Sequence, residues 1–244
     1  GDDLENPFFL ESGAAKGEFG SNTVLLEKKG WEGMLVEPSP DAFDELLSKN
    51  RKAFAFNGGI STDECSRLMH FNTERGQGSV VDSTGATLVQ VEPVHSLLEA
   101  VGRKTVDLWS LDVEGPELAI LKATDFTKIE VGVMLIEMNS GWFWSDKKSI
   151  QNVMTAAGFI DIGTSKYRYK WGSALESILL LPERCRVWSD LDHYFVNAEY
   201  FKQRELPIPT SAPWKGMNSY RSRTFGDPRS LSGVLYCCLT NSCI

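Results

Sequence analysis

A chain of 244 residues, 42% hydrophobic and 24% charged, holds enough apolar material for one large α/β domain. The formal net charge of −8 argues against a nucleic-acid or anionic-membrane partner, and no run approaches the ~20 apolar residues of a membrane span. Cys65, Cys185, Cys237, Cys238 and Cys243 contain no Cys-x-x-Cys pair and form no disulfide framework, so a reducing, cytoplasmic setting is expected; the start at Gly1 leaves a removed leader open.

In chain order, the apolar run 8–11 reads as a strand ending in Glu11. A small-residue loop with Gly13, Gly17 and Gly20 follows, then a helix over 21–29 capped by Ser21 or Asn22. Residues 33–37 read as a second strand ending in Glu37-Pro38, and 40–50 as an amphipathic helix with Ala42, Phe43, Leu46 and Leu47 on one face. A third strand over 52–56 ends at Asn57-Gly58-Gly59. Residues 62–90 are polar and glycine-rich and read as an insertion, with a hairpin around Ser83-Thr84-Gly85. A helix over 93–101 precedes the near-continuous apolar run 106–113, a central buried strand. Pro116 opens the next helix. A strand over 131–136 ends at Glu137, a helix spans 146–157, and 159–169 with 175–181 read as a closing antiparallel pair. These elements define a domain over 1–181; residues 182–244, rich in aromatics and proline with a helix near 189–204, read as an appendage.

Alternating strands and helices predict an α/β fold: a mostly parallel, Rossmann-like sheet with helices on both faces and an antiparallel closing strand. Ligands of such sheets lie at the carboxyl ends of the strands, where Glu11, Glu37, Asn57, Asp112 and Glu137 all fall. The glycine spacing is neither Gly-x-Gly-x-x-Gly nor a triphosphate loop, and Glu11 beside the turn would repel a pyrophosphate. S-adenosylmethionine fits better, having no phosphate and carrying ammonium and sulfonium charges. Glu11 is placed to face its ammonium side, amides of Gly13 to Gly17 to receive its carboxylate, and Glu37 to accept from both ribose hydroxyls.

Several motifs together carry a family resemblance. They are Glu11-Ser12-Gly13-Ala14 with Gly17, Ser21-Asn22-Thr23, Leu35-Val36-Glu37-Pro38 with Asn50-Arg51, Asn57 with Ile60-Ser61, and the run from Val106 through Ser110-Leu111-Asp112-Val113-Glu114-Gly115 to Glu117. Over roughly residues 8–181 the chain resembles the FkbM family of S-adenosylmethionine-dependent methyltransferases. The resemblance implies a class I methyltransferase fold and O-methylation of a sugar or small-molecule hydroxyl. It implies cofactor contacts from Glu11, Ser12, Gly13, Ala14, Gly17, Ser21, Asn22, Glu37, Pro38, Asn57, Gly58 and Asp112.

At the acceptor end, Asp112 and Glu137 are the first candidates for general acid–base work, with His95 third by titration range. Asp112, Glu114, Glu137 and Asn139 offer oxygens to a divalent metal, but the favoured reading has Asp112 touching cofactor or acceptor and Glu114 pairing with a basic side chain, so no metal site is assigned. Trp142-Phe143-Trp144 would line an acceptor pocket. The expected partner is a small-molecule or glycan acceptor, with a homodimer left open; the competing reading is an inactive methyltransferase-like module that binds proteins.

Overall fold

The computed structural model describes residues 6–72, 79–81, 87–138, 147–164 and 192–212. Its first half runs β1 (Phe8–Ser12), α1 (Val24–Lys28), β2 (Glu32–Glu37), α2 (Pro40–Ser48), β3 (Phe54–Asn57), β4 (Gly59–Ile60), β5 (Arg67–Asn72), β6 (Ser79–Val81) and β7 (Thr87–Glu92). Then follow α3 (Val94–Ala100), β8 (Thr105–Leu111), α4 (Glu117–Ala123), β9 (Glu130–Glu137), α5 (Lys147–Ala156), β10 (Phe159–Thr164), β11 (Asp192–Asn197) and α6 (Ala198–Gln203). Among the described residues no helix is long and apolar enough to cross a membrane.

Seven strands form one sheet in the order β10-β11-β9-β8-β1-β2-β3. The pairs β1–β2, β1–β8, β2–β3 and β8–β9 are parallel, and β11 runs antiparallel to both β9 and β10. This is the Rossmann-like arrangement expected, with the strand order reversing between β1 and β8, the switch point at which ligands of such sheets lie. β1, β8 and β9 are buried almost throughout and mostly apolar because both sheet faces are covered. Phe8, Leu10, Trp109, Met134 and Ile136 pack one face, with Leu98, Ile120 and Ile150 of the helices. Phe9, Leu35, Leu108, Val133 and Leu135 pack the other, with Leu26, Tyr194, Tyr200 and Phe201.

The closing strand departs from the sequence reading. It is β11, from the stretch assigned to an appendage helix, and it inserts between β9 and β10. Of the described residues of that stretch, 192–204, only Ala198–Gln203 is helical. The boundary at 181 is therefore corrected: residues 192–212 belong to the main domain, while the strand expected at 175–181 lies outside the described residues. The physical reason is burial. Tyr194, Phe195, Val196, Tyr200 and Phe201 are all in the core, and Tyr200 donates its hydroxyl to the buried Asp107 carboxylate, which also accepts from the Phe8 amide at 2.5 Å. Gly132 makes room for that ring, since a Cβ there would stand 2.8 Å from it.

The insertion is a second sheet in the order β4-β7-β5-β6. β5 lies between β6 and β7, so the expected hairpin around Ser83-Thr84-Gly85 does not form between neighbouring strands; those three residues lie outside the described set. Met69, Phe71, Val89 and Val91 are buried, while Leu68 and Leu88 stay exposed, the alternation of a sheet lying flat on the domain.

Candidate active site

The turn after β1 is held from three sides. The amides of Gly13 and Ala14 donate to the Val36 carbonyl at 2.9 and 3.1 Å, and Asp112 N donates to the Ser12 carbonyl at 3.1 Å. Gly13 has φ +85°, and a Cβ on it would meet the Asp112 carbonyl oxygen at 1.6 Å, so only glycine fits where the two strand ends touch. Ala15 N donates to Glu37 Oε2 at 2.7 Å and Gly17 N to the Ala14 carbonyl at 2.9 Å. The amide cradle expected over Gly13 to Gly17 is thus reduced to Lys16, because the turn folds onto β2 and spends the others within the protein.

Glu11 is 4% exposed and anchors the loop–helix junction. It accepts from Asn22 N at 2.7 Å, Ser21 Oγ at 2.8 Å and Thr23 Oγ1 at 2.5 Å. Burial pushes its pKa up, and the bonds to Thr23, Ser21 and Asn22 pull it back. α1 begins at Val24 with Thr23 at its N-cap rather than the expected Ser21 or Asn22, but Ser21 Oγ accepts from Thr23 N and Val24 N just ahead of it. Asn22 Nδ2 donates to Ser110 Oγ at 3.0 Å, tying the junction to β8, and Ser12 Oγ accepts from buried Trp109 Nε1 at 3.0 Å.

Arg51 completes the clamp. Its guanidinium bonds the Gly17 carbonyl at 2.5 Å, Ser21 Oγ at 3.3 Å and Thr23 Oγ1 at 3.2 Å, and pairs with Glu27 at 2.8 Å. Its position after α2 in Asn50-Arg51 was the available signal, but nothing in the sequence says that it folds back over the first loop.

Glu37, 6% exposed, ends β2. Its two oxygens accept from Ala15 N at 2.7 Å and Ser39 N at 2.8 Å, each leaving a second lone pair. Burial raises its pKa against those two bonds. Pro38 directs the chain into α2, whose Ser39 cap receives Ala42 N at 3.4 Å. Asn57 is exposed; its side-chain amide and the Gly58 amide both donate to the Glu37 carbonyl, at 3.0 and 3.1 Å, fixing the strand end.

Strand alternation arranges the acids. Glu11 pairs in register with Leu35 and Ser110, and Ser110 with Leu135, so Glu11, Glu37 and Glu137 share one sheet face. Asp192 opposes Glu137 across β9–β11 and lies on that face too. Asp112, one residue past β8, brings its carboxyl beside that of Glu137. Glu114, at φ +60°, swings its side chain to the same place. Ligand oxygens of Asp112, Glu114 and Glu137 lie within 4.8 Å of one another. Buried Glu117 holds the turn open from below, accepting from Val113 N and Gly115 N.

The expected basic partner of Glu114 is not there: among the described residues no lysine, arginine or histidine pairs with Asp112, Glu114, Glu137 or Asp192. Burial first, and then the neighbouring carboxylates, push Asp112 up to about 8 and Glu114 up to about 7. Burial and Asp112 push Asp192 up to about 7, and burial raises Glu137. His95, at the first turn of α3, is half-buried and bonds none of these carboxylates. Asn139 and Trp142-Phe143-Trp144 lie outside the described residues.

A family model for the methyltransferase FkbM domain matches residues 11–160. The chain belongs to the FkbM methyltransferase family. The matched span runs from Glu11 to β10 and contains every residue of the clamp and all the clustered acids except Asp192. Three solved structures illustrate the likeness in fold. A TehB-like SAM-dependent methyltransferase from Corynebacterium glutamicum is 16% identical over 79% of this chain and 81% of its own, with a TM-score of 0.40. Aeropyrum pernix fibrillarin with bound S-adenosyl-L-methionine is 14% identical over 79% and 66%, at 0.40. The StiE O-MT structure is 10% identical over 81% and 74%, at 0.41. No curated protein matches the chain.

Asp192 is the member of this FkbM-family site that sequence reasoning missed, because it was assigned to an appendage. The stacked acids make the ligand-free protein proton-hungry. A group whose folded pKa lies above its unfolded one stabilises the fold at low pH and loses that contribution as pH rises through the folded value. Asp112, Glu114 and Asp192 do so between their ordinary values near 4 and about 7 to 8. His193, held below its ordinary 6.5 by burial and then by Lys147, acts oppositely, destabilising only as pH falls below 6.5. Thermal melts from pH 6.5 to about 8 are therefore expected to show a falling Tm, with a shallower slope for Asp112→Asn; a rising Tm over that window would refute the arrangement.

Proposed function

We propose that this chain transfers a methyl group from S-adenosylmethionine to a hydroxyl oxygen of a small-molecule or sugar acceptor. The observation that carries the reading is the run of acids along one sheet face, ending in Asp112, Glu114, Glu137 and Asp192, with no basic partner among the described residues. Such a crevice favours a cationic ligand, and the donor brings an ammonium and a sulfonium. Glu37 has the lone pairs to accept from two ribose hydroxyls. Glu11, held by Ser21, Asn22 and Thr23, adds negative charge through space while keeping the turn rigid.

The reaction follows from charge. An acceptor oxygen attacks the methyl carbon in line with the departing sulfur, so most of the barrier is lowered by positioning. Beside a sulfonium, the Asp112–Glu137 pair gives up the proton it shares. As the sulfonium becomes a neutral thioether, the pair regains proton affinity and takes the proton of the acceptor hydroxyl. Sulfur gains the electron pair of the S–CH3 bond, and oxygen exchanges a hydrogen for a methyl.

Calorimetric titration of the protein with S-adenosylmethionine tests the reading. Saturable 1:1 binding is expected, with proton release visible as heats that depend on the buffer's ionisation enthalpy. Absence of binding would leave the protein-binding module as the function of this fold.

A further inference from the structure

We propose that Asp112, Glu114 and Glu137 form a binding site for a hard divalent cation, of the Mg2+ or Ca2+ kind, beside the methyl-donor crevice. The proposal rests on the acidic cluster and not on the donor reading. Oxygens bound to one such ion sit about 2.1 to 2.5 Å from it, so any two of them lie within about 5 Å. The ligand oxygens of these three residues meet that condition, all falling within 4.8 Å of one another. A chance meeting of exposed acids would relax apart into water. These come from the ends of two adjacent parallel strands and from a turn fixed by buried Glu117, and they are held together.

Two further observations point to a missing cation. Asp192 is only 6% exposed, faces the cluster across the β9–β11 register, and hydrogen-bonds nothing among the described residues. Its carboxyl is near enough to Asp112 for the two charges to repel. Asp112 Oδ1 is likewise buried with no hydrogen-bond partner. A buried carboxylate without a partner, as Asp192 is, is costly, and three half-buried ones beside it, Asp112, Glu114 and Glu137, add like charge. A divalent ion satisfies the orphaned oxygens and neutralises the cluster in one step. Three carboxylates leave several of the 6–8 positions of such an ion open to water. An ion there would keep Asp112 and Glu137 ionised, so it competes with the proton that the methyl-transfer reading has them share.

The test needs no methyl donor. Protein stripped with EDTA is titrated calorimetrically with MgCl2 and, separately, CaCl2, and melted with and without each salt. One saturable site is expected for at least one ion, with a matching rise in Tm. Asp112→Asn and Glu137→Gln, both near-isosteric and both relieving repulsion, are expected to fold and to lose affinity at least tenfold, while exposed Glu45→Gln leaves it unchanged. Wild-type protein that binds neither ion, or Glu137→Gln that binds as tightly as wild type, would overturn the site. Ion binding without donor binding would leave the cation site standing and remove the methyl-transfer reading; donor binding without ion binding would do the reverse.

Discussion

Replacing Asp112 with asparagine is expected to lower kcat by about 10²–10⁴-fold, the range for loss of a positioned acid–base group. The side chain keeps its shape but can neither take a proton nor bear a negative charge. Its neighbourhood makes it the fitting acceptor: β8 delivers it beside Glu137, its backbone is pinned to Ser12, and burial, then the surrounding acids, hold its carboxyl at about 8. The fold should survive, because asparagine removes one of several like charges in the cluster. Single-turnover methyl transfer, with thermal melts as the control, separates the two effects. Full activity in a folded variant would take Asp112 out of the chemistry.

Glu37→Ala is expected to weaken S-adenosylmethionine binding by about 1.5–3 kcal/mol, roughly 10- to 150-fold, as for hydrogen bonds to a charged group. The carboxylate does two things at once. It fixes the turn through the Ala15 amide and the start of α2 through the Ser39 amide. Its remaining lone pairs are those proposed to accept from the ribose hydroxyls. Glu37→Gln keeps one acceptor oxygen and should fall between wild type and alanine. Unchanged affinity in Glu37→Ala would show that the ribose lies elsewhere.

Much of the architecture was legible in the chain because its central strands are unusually pure signals. The runs at 8–11, 33–37, 106–113 and 131–136 are mostly apolar, as strands covered on both faces tend to be, and each ends in or beside a carboxylate. Strand ends therefore located most of the acids. What stayed hidden is long-range. Nothing local says that Glu11 bonds Ser21, Asn22 and Thr23, or that Arg51 returns to the Gly17 carbonyl. β11 was misread because Asp192-His193 opens it with polar residues and α6 follows directly, so a strand–helix junction looked like one helix. That error removed Asp192 from the site. That no described lysine, arginine or histidine pairs with Glu114 was equally unreadable, since which charges meet is decided by the sheet order and the turn at Glu114.

The structural logic reduces to a rigid turn and a line of carboxylates prepared for a positive charge. Pairing Ser12 with Asp112 through backbone, and Glu11 with the Ser-Asn-Thr run through side chains, spends the available hydrogen bonds on rigidity. The unneutralised acids remain as the chemical content of the crevice.

The most direct measurement is a crystal structure of the protein with S-adenosylhomocysteine. The account predicts the ribose hydroxyls on the Glu37 carboxylate, the amino-acid end beside the Gly13 turn, and the sulfur facing Asp112 and Glu137. An empty crevice, or the nucleoside bound away from Glu37, would contradict it.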